Sequence, residues 1–400
     1  MNPARPLTTP PTILFGRGTR RHIAEHSRAF GQRVFLVTGS RSLAASGEQS
    51  FLQEQLSSRG MTSVPFVVSG EPDVALVDEG ARLCVAEGCE LVIGIGGGSV
   101  LDAAKAVASL IPNGGSALDY LQDVPGKSGK DRVVTKPSLP FVAVPTTAGS
   151  GSEVTKNAVL RIPEAALKRS MRSELMMAHV ALVDPELSRD APSHVSAPAA
   201  LDALTHLLEG YVSRDAHPAT DTLAFKGMKR SLAALHRIAG GATFDAEVDD
   251  LAMSSLWGGV VLANAGLGAV HGLVAPLGGR FPIPHGCGCG ALLAPTFRVN
   301  VTALRQRDPG GLALTRYRRV AEVLAGPDAT LDAAADALDA LRVGLGAHPL
   351  AHYGVTHDSL AGIIAGARGG SMKSNPIVLT DAELETILRE SMGPLPVRAS

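Results

Sequence analysis

Glu90-Leu91-Val92-Ile93-Gly94-Ile95-Gly96-Gly97-Gly98-Ser99 is the stretch that decides the fold. A continuous apolar run closed by glycines reads as a buried β-strand, and residues 100–110 behind it carry helical spacing. Glycines let a backbone approach a ligand closely, and the free amides at a helix start bind phosphate oxygens. The six-residue Gly-x-Gly-x-x-Gly fingerprint is not fully formed, so the turn alone is a candidate pyrophosphate site and equally a tight connection.

Working outward, Arg33-Val34-Phe35-Leu36-Val37-Thr38 is a second apolar strand, ending in Gly39-Ser40, and residues 78–86 between the two have one apolar helical face. Strands are also expected over 139–145 and 180–183, the latter closed by Asp184-Pro185. Continuous apolar strands alternating with helices predict a parallel sheet covered on both faces. From about Ser193 the texture changes. Alanine and leucine at helical spacing predict helices over 199–212, 220–236, 251–263, 314–324, 331–341 and 359–367. The expected architecture is an α/β dinucleotide-binding domain with a parallel sheet (1–192) followed by an all-helical metal-binding domain (193–400), with the break near Asp-Ala-Pro-Ser at 190–193.

Bulk properties exclude several classes. The 400 residues, 45% hydrophobic, hold 37 basic and 38 acidic side chains for a formal charge of -1. That balance offers no global attraction to nucleic acid or an anionic membrane, so small molecules and a second copy of the chain are the expected partners. Residues 1–12 are polar and proline-rich, without the apolar core of a signal peptide. The most apolar span, 91–111, is interrupted by Asp102, Lys105 and three glycines, which argues against a membrane helix. Cys84, Cys89, Cys287 and Cys289 are too few for a disulfide scaffold. Buried free thiols in a reducing cytoplasm are expected, although Cys287-Gly288-Cys289 stands beside His285.

Two further stretches carry chemistry. Pro145-Thr146-Thr147-Ala148-Gly149-Ser150-Gly151-Ser152-Glu153-Val154-Thr155 is a second glycine turn after a strand, crowded with hydroxyls. Ligands of parallel sheets gather where strands finish, so two such turns favour dinucleotide binding over plain solvated loops. In the helix-like run Ala200 to Tyr211, Asp202 and His206 are four apart and share one face. Alone they are an ordinary i,i+4 pair. With His271-Gly272 and Pro284-His285-Gly286, read as two short turns, they offer one carboxylate and three imidazoles. That set suits a divalent first-row ion such as iron or zinc, with a coordination position left for substrate. His22 and His26 lack a third ligand and read as an exposed pair; Arg280 reads as a loop brace, or as a partner for a substrate carboxylate.

Taken together, Gly96-Gly97-Gly98-Ser99 with Asp102 and Lys105, the 145–155 loop, Asp202-Ala203-Leu204-Thr205-His206, His271-Gly272, Pro284-His285-Gly286 and Met372-Lys373-Ser374-Asn375-Pro376 resemble the iron-dependent (group III) alcohol dehydrogenases, collinearly over nearly the whole chain. The resemblance implies an NAD(P)-dependent oxidoreductase that transfers hydride between the cofactor and an alcohol, aldehyde or ketone, with Fe2+ (or Zn2+) as metal and a homodimer as assembly. Gly97, Gly98 and Ser99 would hold the pyrophosphate; Thr146, Ser150 and Thr155 would line the cofactor groove; Lys168 would lie near the nicotinamide ribose. Asp202, His206, His271 and His285 would bind the metal.

Two departures from that pattern matter. NAD-preferring relatives tend to carry an acidic residue at the strand end occupied here by Thr38-Gly39-Ser40-Arg41. No carboxylate stands there to repel a 2′-phosphate, and Ser40 or Arg41 could bind one, so NADP is expected to be accepted and even preferred. Many relatives also place a histidine where this chain has Ala275, whose methyl cannot relay a proton. Rival readings are a maleylacetate reductase, whose dicarboxylate substrate wants two cations where only Arg280 is at hand, and a dehydroquinate synthase-like lyase.

Overall fold

The computed structural model describes residues 6–40, 43, 46–127 and 131–393. One compact unit spans Thr8–Ala191; a second takes the chain from Pro192 on, and residues 6–7 group with it.

The first unit holds a sheet of six parallel strands, β1 (Thr12–Phe15), β2 (Arg33–Gly39), β3 (Thr62–Val68), β4 (Leu91–Gly96), β5 (Phe141–Pro145) and β8 (Val180–Val183), in the order β1-β8-β5-β4-β2-β3. The intervening β6 (Asn157–Ile162) and β7 (Leu167–Arg172) form a separate antiparallel pair. The helices of this unit are α1 (Ile23–Ser27), α2 (Glu48–Ser57), α3 (Val74–Ala86) and α4 (Gly98–Asn113). Alternate strand residues feed two cores. Val34, Leu36, Leu91, Ile93 and Ile95 pack with Ile23 of α1 and Leu52 and Leu56 of α2. Phe35, Val37, Val92, Phe141 and Ala143 pack with Val77 and Ala81 of α3 and with Leu101, Ala104 and Val107 of α4. Burial on both faces is why these strands read as unbroken apolar runs rather than alternating ones.

Strand order reverses between β2 and β4. After β2 the chain goes outward to β3; after β4 it goes the other way, to β5 and β8. The carboxyl ends of β2 and β4, at Gly39 and Gly96, therefore flank the switch point where ligands of open α/β sheets bind. Two glycines let α4 lie close on β4. A Cβ on Gly94 would fall 2.8 Å from Ala104 Cβ, and one on Gly96 2.6 Å from Val100 Cβ.

The second unit is helical: α5 (Ser193–Val212), α6 (Pro218–Ala239), α7 (Val248–Ala265), α8 (Ala269–Arg280), α9 (His285–Arg307), α10 (Leu312–Ala325), α11 (Leu331–Gly344), α12 (Leu360–Gly366) and α13 (Asp381–Ser391). At its centre, every residue of α5 from Ala200 to Val212 is buried. A helix enclosed on all sides is a core helix, so any polar side chain on it needs a partner. Among the described residues no single helix is long and apolar enough to cross a membrane; only Asp245–Ala265 with Ala269–Arg280 passes as a pair, bent by 101°.

Candidate metal centre and dinucleotide loop

The enclosed helix α5 carries two carboxylates and one imidazole in its buried stretch, Asp202, His206 and Glu209, at spacings of four and three that set them along one face. Asp202 Oδ1 faces three imidazole nitrogens: His271 Nε2 at 3.2 Å, His206 Nε2 at 3.5 Å and His285 Nε2 at 3.6 Å. The His206 and His271 rings stack with centroids 4.7 Å apart. Asp202, His206 and His271 are buried, whereas the His285 side chain is 44% exposed, so the group opens to solvent on the His285 side.

The histidines stand on helices, not on the turns expected from the glycines around them. His271 lies in the first turn of α8 and His285 begins α9. The glycines serve close packing. A Cβ on Gly286 would run into the Pro198 carbonyl of α5, and one on Gly272 would fall 2.7 Å from Met372 Cε. Asn375, in the motif near the chain end, accepts the Ala269 N–H at 3.0 Å and so fixes the start of α8.

Glu209, which sequence reasoning did not single out, orients the centre. Its Oε1 accepts the Val270 N–H at 2.7 Å, and its Oε2 lies 2.6 Å from His271 Nδ1. A proton on Nδ1 directed at Glu209 leaves the Nε2 lone pair pointing at the Asp202 oxygen. Two acceptors 3.2 Å apart need a proton or a cation between them, and a cation is what a carboxylate with three imidazoles is suited to hold. Electrostatics agree. Burial by itself raises the Asp202 carboxyl, but His206, His285 and His271 outweigh it and hold the group below the ordinary carboxylate range. Burial likewise opposes charge on His271, yet Cys289, Asp202 and Glu209 together favour its cationic form, in which a proton on Nε2 rather than a metal ion fills the gap to Asp202. The donor set fits a divalent first-row ion. Glu209 was legible in principle, as a carboxylate seven residues after Asp202 on the same helical face.

In the α/β unit, Gly97 caps α4 without any side-chain hydrogen bond, which leaves the first-turn amides of Gly98 and Ser99 uncapped by a side chain. A Cβ on Gly98 would lie 2.8 Å from Ser150 Oγ, and one on Gly97 3.3 Å from Thr147 Oγ1, so the two glycine loops run side by side. The Thr146 N–H donates to the Gly96 carbonyl at 3.0 Å. Below them Lys105 is wholly buried. Its Nζ donates to Ser152 O at 2.7 Å, Thr155 Oγ1 at 2.9 Å, Asn157 O at 2.8 Å and Ser152 Oγ at 3.1 Å. Burial lowers this ammonium to about 8. Asp102 accepts from Ser152 Oγ at 2.6 Å and from the Val159 N–H at 2.9 Å. Asp102 and Lys105 thus hold the 150–157 segment in shape.

The Thr155 hydroxyl is buried and accepts from the Lys105 ammonium. Lys168, on β7, is paired with Glu71 Oε1 at 2.6 Å. Gly39 is half-buried and Ser40 exposed at the end of β2, while Arg41 lies outside the described residues. Arg280 is exposed at the end of α8, its guanidinium packed where a Cβ on Gly362 would fall. The exposed His22 meets Glu25 at 3.2 Å.

A glycine turn at the switch point and a carboxylate–imidazole cluster suited to a divalent ion are the features expected of a metal-dependent oxidoreductase that uses a dinucleotide. Comparison with known proteins makes this specific. Residues 10–185 match the iron-containing alcohol dehydrogenase family, and 196–392 match the C-terminal domain of the Fe-containing alcohol dehydrogenase family. Alcohol dehydrogenase 4 of Schizosaccharomyces pombe is 30% identical over 393 residues, 98% of this chain and 90% of that one. Among solved structures, an archaeal halo-thermophilic alcohol dehydrogenase from a Red Sea brine pool superimposes with a TM-score of 0.88 at 26% identity, covering 98% of this chain and 100% of the other. A sulfoacetaldehyde reductase from Bifidobacterium kashiwanohense in complex with NAD+ gives a TM-score of 0.83 at 29% identity, covering 98% and 99%.

The chain belongs to the iron-containing alcohol dehydrogenase family. It is an oxidoreductase of that class, which stands ahead of the maleylacetate reductase and lyase readings.

Proposed function

We propose that Asp202, His206, His271 and His285 hold the metal of a reversible NAD(P)-dependent alcohol dehydrogenase, and that Gly97, Gly98 and Ser99 hold the cofactor's pyrophosphate with Thr146 and Ser150 beside it. The observation that carries this reading is the convergence of three imidazole Nε2 atoms within 3.6 Å of one carboxylate oxygen. When bound, a divalent cation supplies the positive charge that lowers the pKa of an alcohol, or polarises the carbonyl in reverse, and the nicotinamide takes or returns the hydride.

The chain's own residues do the positioning. Asp202 offsets part of the cation's charge, Glu209 fixes the His271 ring, and the exposed side of His285 is where a substrate oxygen can approach. The amides of Gly98 and Ser99 meet phosphate oxygens at the start of α4. Lys168 stands as the candidate for the nicotinamide ribose, at the cost of its pairing with Glu71. Ala275, one helical turn beyond His271, offers no titratable group, so proton release goes through water or another side chain, or is unassisted. Four free cysteines favour a reducing cytoplasm, and a homodimer is the proposed assembly.

NADP is proposed as accepted and preferred, because the end of β2 carries Ser40 in place of a carboxylate. The test is a panel of alcohols and aldehydes with each cofactor, run on wild type and His271→Ala. His271→Ala should lose metal and turnover together while still binding NAD(P). Retained metal and wild-type rates in that variant would overturn the site, and a kcat/KM for NAD above that for NADP would overturn the cofactor preference.

A further inference from the structure

Cys289 stands inside the metal centre. It follows His285 by one turn of α9, is fully buried, and has its Sγ 3.4 Å from Asp202 Oδ1 and 3.7 Å from His271 Nε2. One donor atom each from Asp202, His271, His285 and Cys289 fits within 4.8 Å. Its neighbours are arranged to bring it there. A Cβ on Gly288 would fall 2.6 Å from Val274 Cγ2 of α8 and one on Gly290 2.9 Å from Leu201 Cδ1 of α5, so α9 approaches both ligand-bearing helices at the level of the thiol. Cys287 differs: its thiol is not among this group of donor atoms.

We propose that Cys289 is a sulfur ligand of this metal centre and tilts its selectivity from iron toward zinc or cobalt. The proposal rests on the reading of Asp202, His206, His271 and His285 as the metal site. Coordination replaces the S–H proton by the metal and releases that proton to solvent. A soft thiolate added to carboxylate and imidazole donors favours zinc and cobalt over ferrous iron.

The test is a Co2+ titration of metal-stripped enzyme, followed by absorption spectroscopy. Wild type should show visible d–d bands together with a near-ultraviolet thiolate-to-cobalt charge-transfer band. Cys289→Ala and the closer isostere Cys289→Ser should keep the d–d bands and lose the charge-transfer band, whereas Cys287→Ala should keep both. The ratio of zinc to ferrous affinity should fall about tenfold or more in Cys289→Ala, the scale on which positions around metal ligands act. Visible bands without charge transfer in wild type overturn the role of Cys289 and leave the metal site standing. No cobalt binding by wild type overturns both.

Discussion

Glu209 shows how a buried acid becomes useful. A carboxylate on a fully enclosed helix carries a desolvation cost, and here the amide of Val270 and the imidazole of His271 offset it. Glu209→Gln keeps an oxygen for Val270 but cannot accept from His271 Nδ1 with the same oxygen pair, so the imidazole loses its fixed tautomer. Metal affinity should drop about 10–100-fold, with turnover recovered in excess metal. Equilibrium dialysis against a competing chelator measures it; affinity equal to wild type would remove Glu209 from the centre. At this scale the sequence was informative where spacing was local. Asp202 and His206, four apart, declare a shared face, but their convergence with His271 and His285 depends on helix packing that no local pattern encodes.

The elements around the histidines were hidden by their own packing requirement. Gly272, Gly286, Gly288 and Gly290, with Pro276 and Pro295, lower the helical signal of α8 and α9, so these segments read as turns. Tertiary contact overrides propensity there, because only glycine lets neighbouring backbones and side chains approach so closely. Edge strands were missed for a related reason. β3 is half-exposed and carries Pro65, and β1 is four residues long; neither has the unbroken apolar run of β2, β4 or β5. The glycine turn after β4, in contrast, was visible because it combines a strand end and a helix start. Gly98→Ala tests it: the added methyl meets Ser150 Oγ at 2.8 Å, so the loop must shift. The Kd for NAD(P) should rise about tenfold, or about 1.4 kcal/mol, with metal content unchanged. Calorimetric titration of the variant decides this, and an unaltered Kd would separate the turn from cofactor binding.

For the molecule as a whole, the change of texture near residue 193 announced a sheet followed by helices, while the strand order depended on pairings distant in sequence. What the folded chain adds is a buried charge cluster beneath the 150–157 segment. Glu153 is 1% exposed, and its Oε2 has no hydrogen-bond partner among the described residues. Burial raises its carboxyl to about 7 from the ordinary 4.5, against the pull of Lys105. A carboxyl whose folded pKa is raised contributes stability that is fully present below pH 4.5 and is lost as pH climbs through about 7. The α/β unit should therefore lose stability across that window, by at most about 3 kcal/mol from this group. Glu153→Gln removes the titration. Its melting temperature should match wild type near pH 5 and exceed it by a few degrees, roughly 2–6 °C, at pH 8. Melting curves of both proteins across the window, followed by circular dichroism with saturating metal throughout, check the sign. A constant difference between the two at every pH would mean that Glu153 does not take up a proton in the fold and stays a carboxylate.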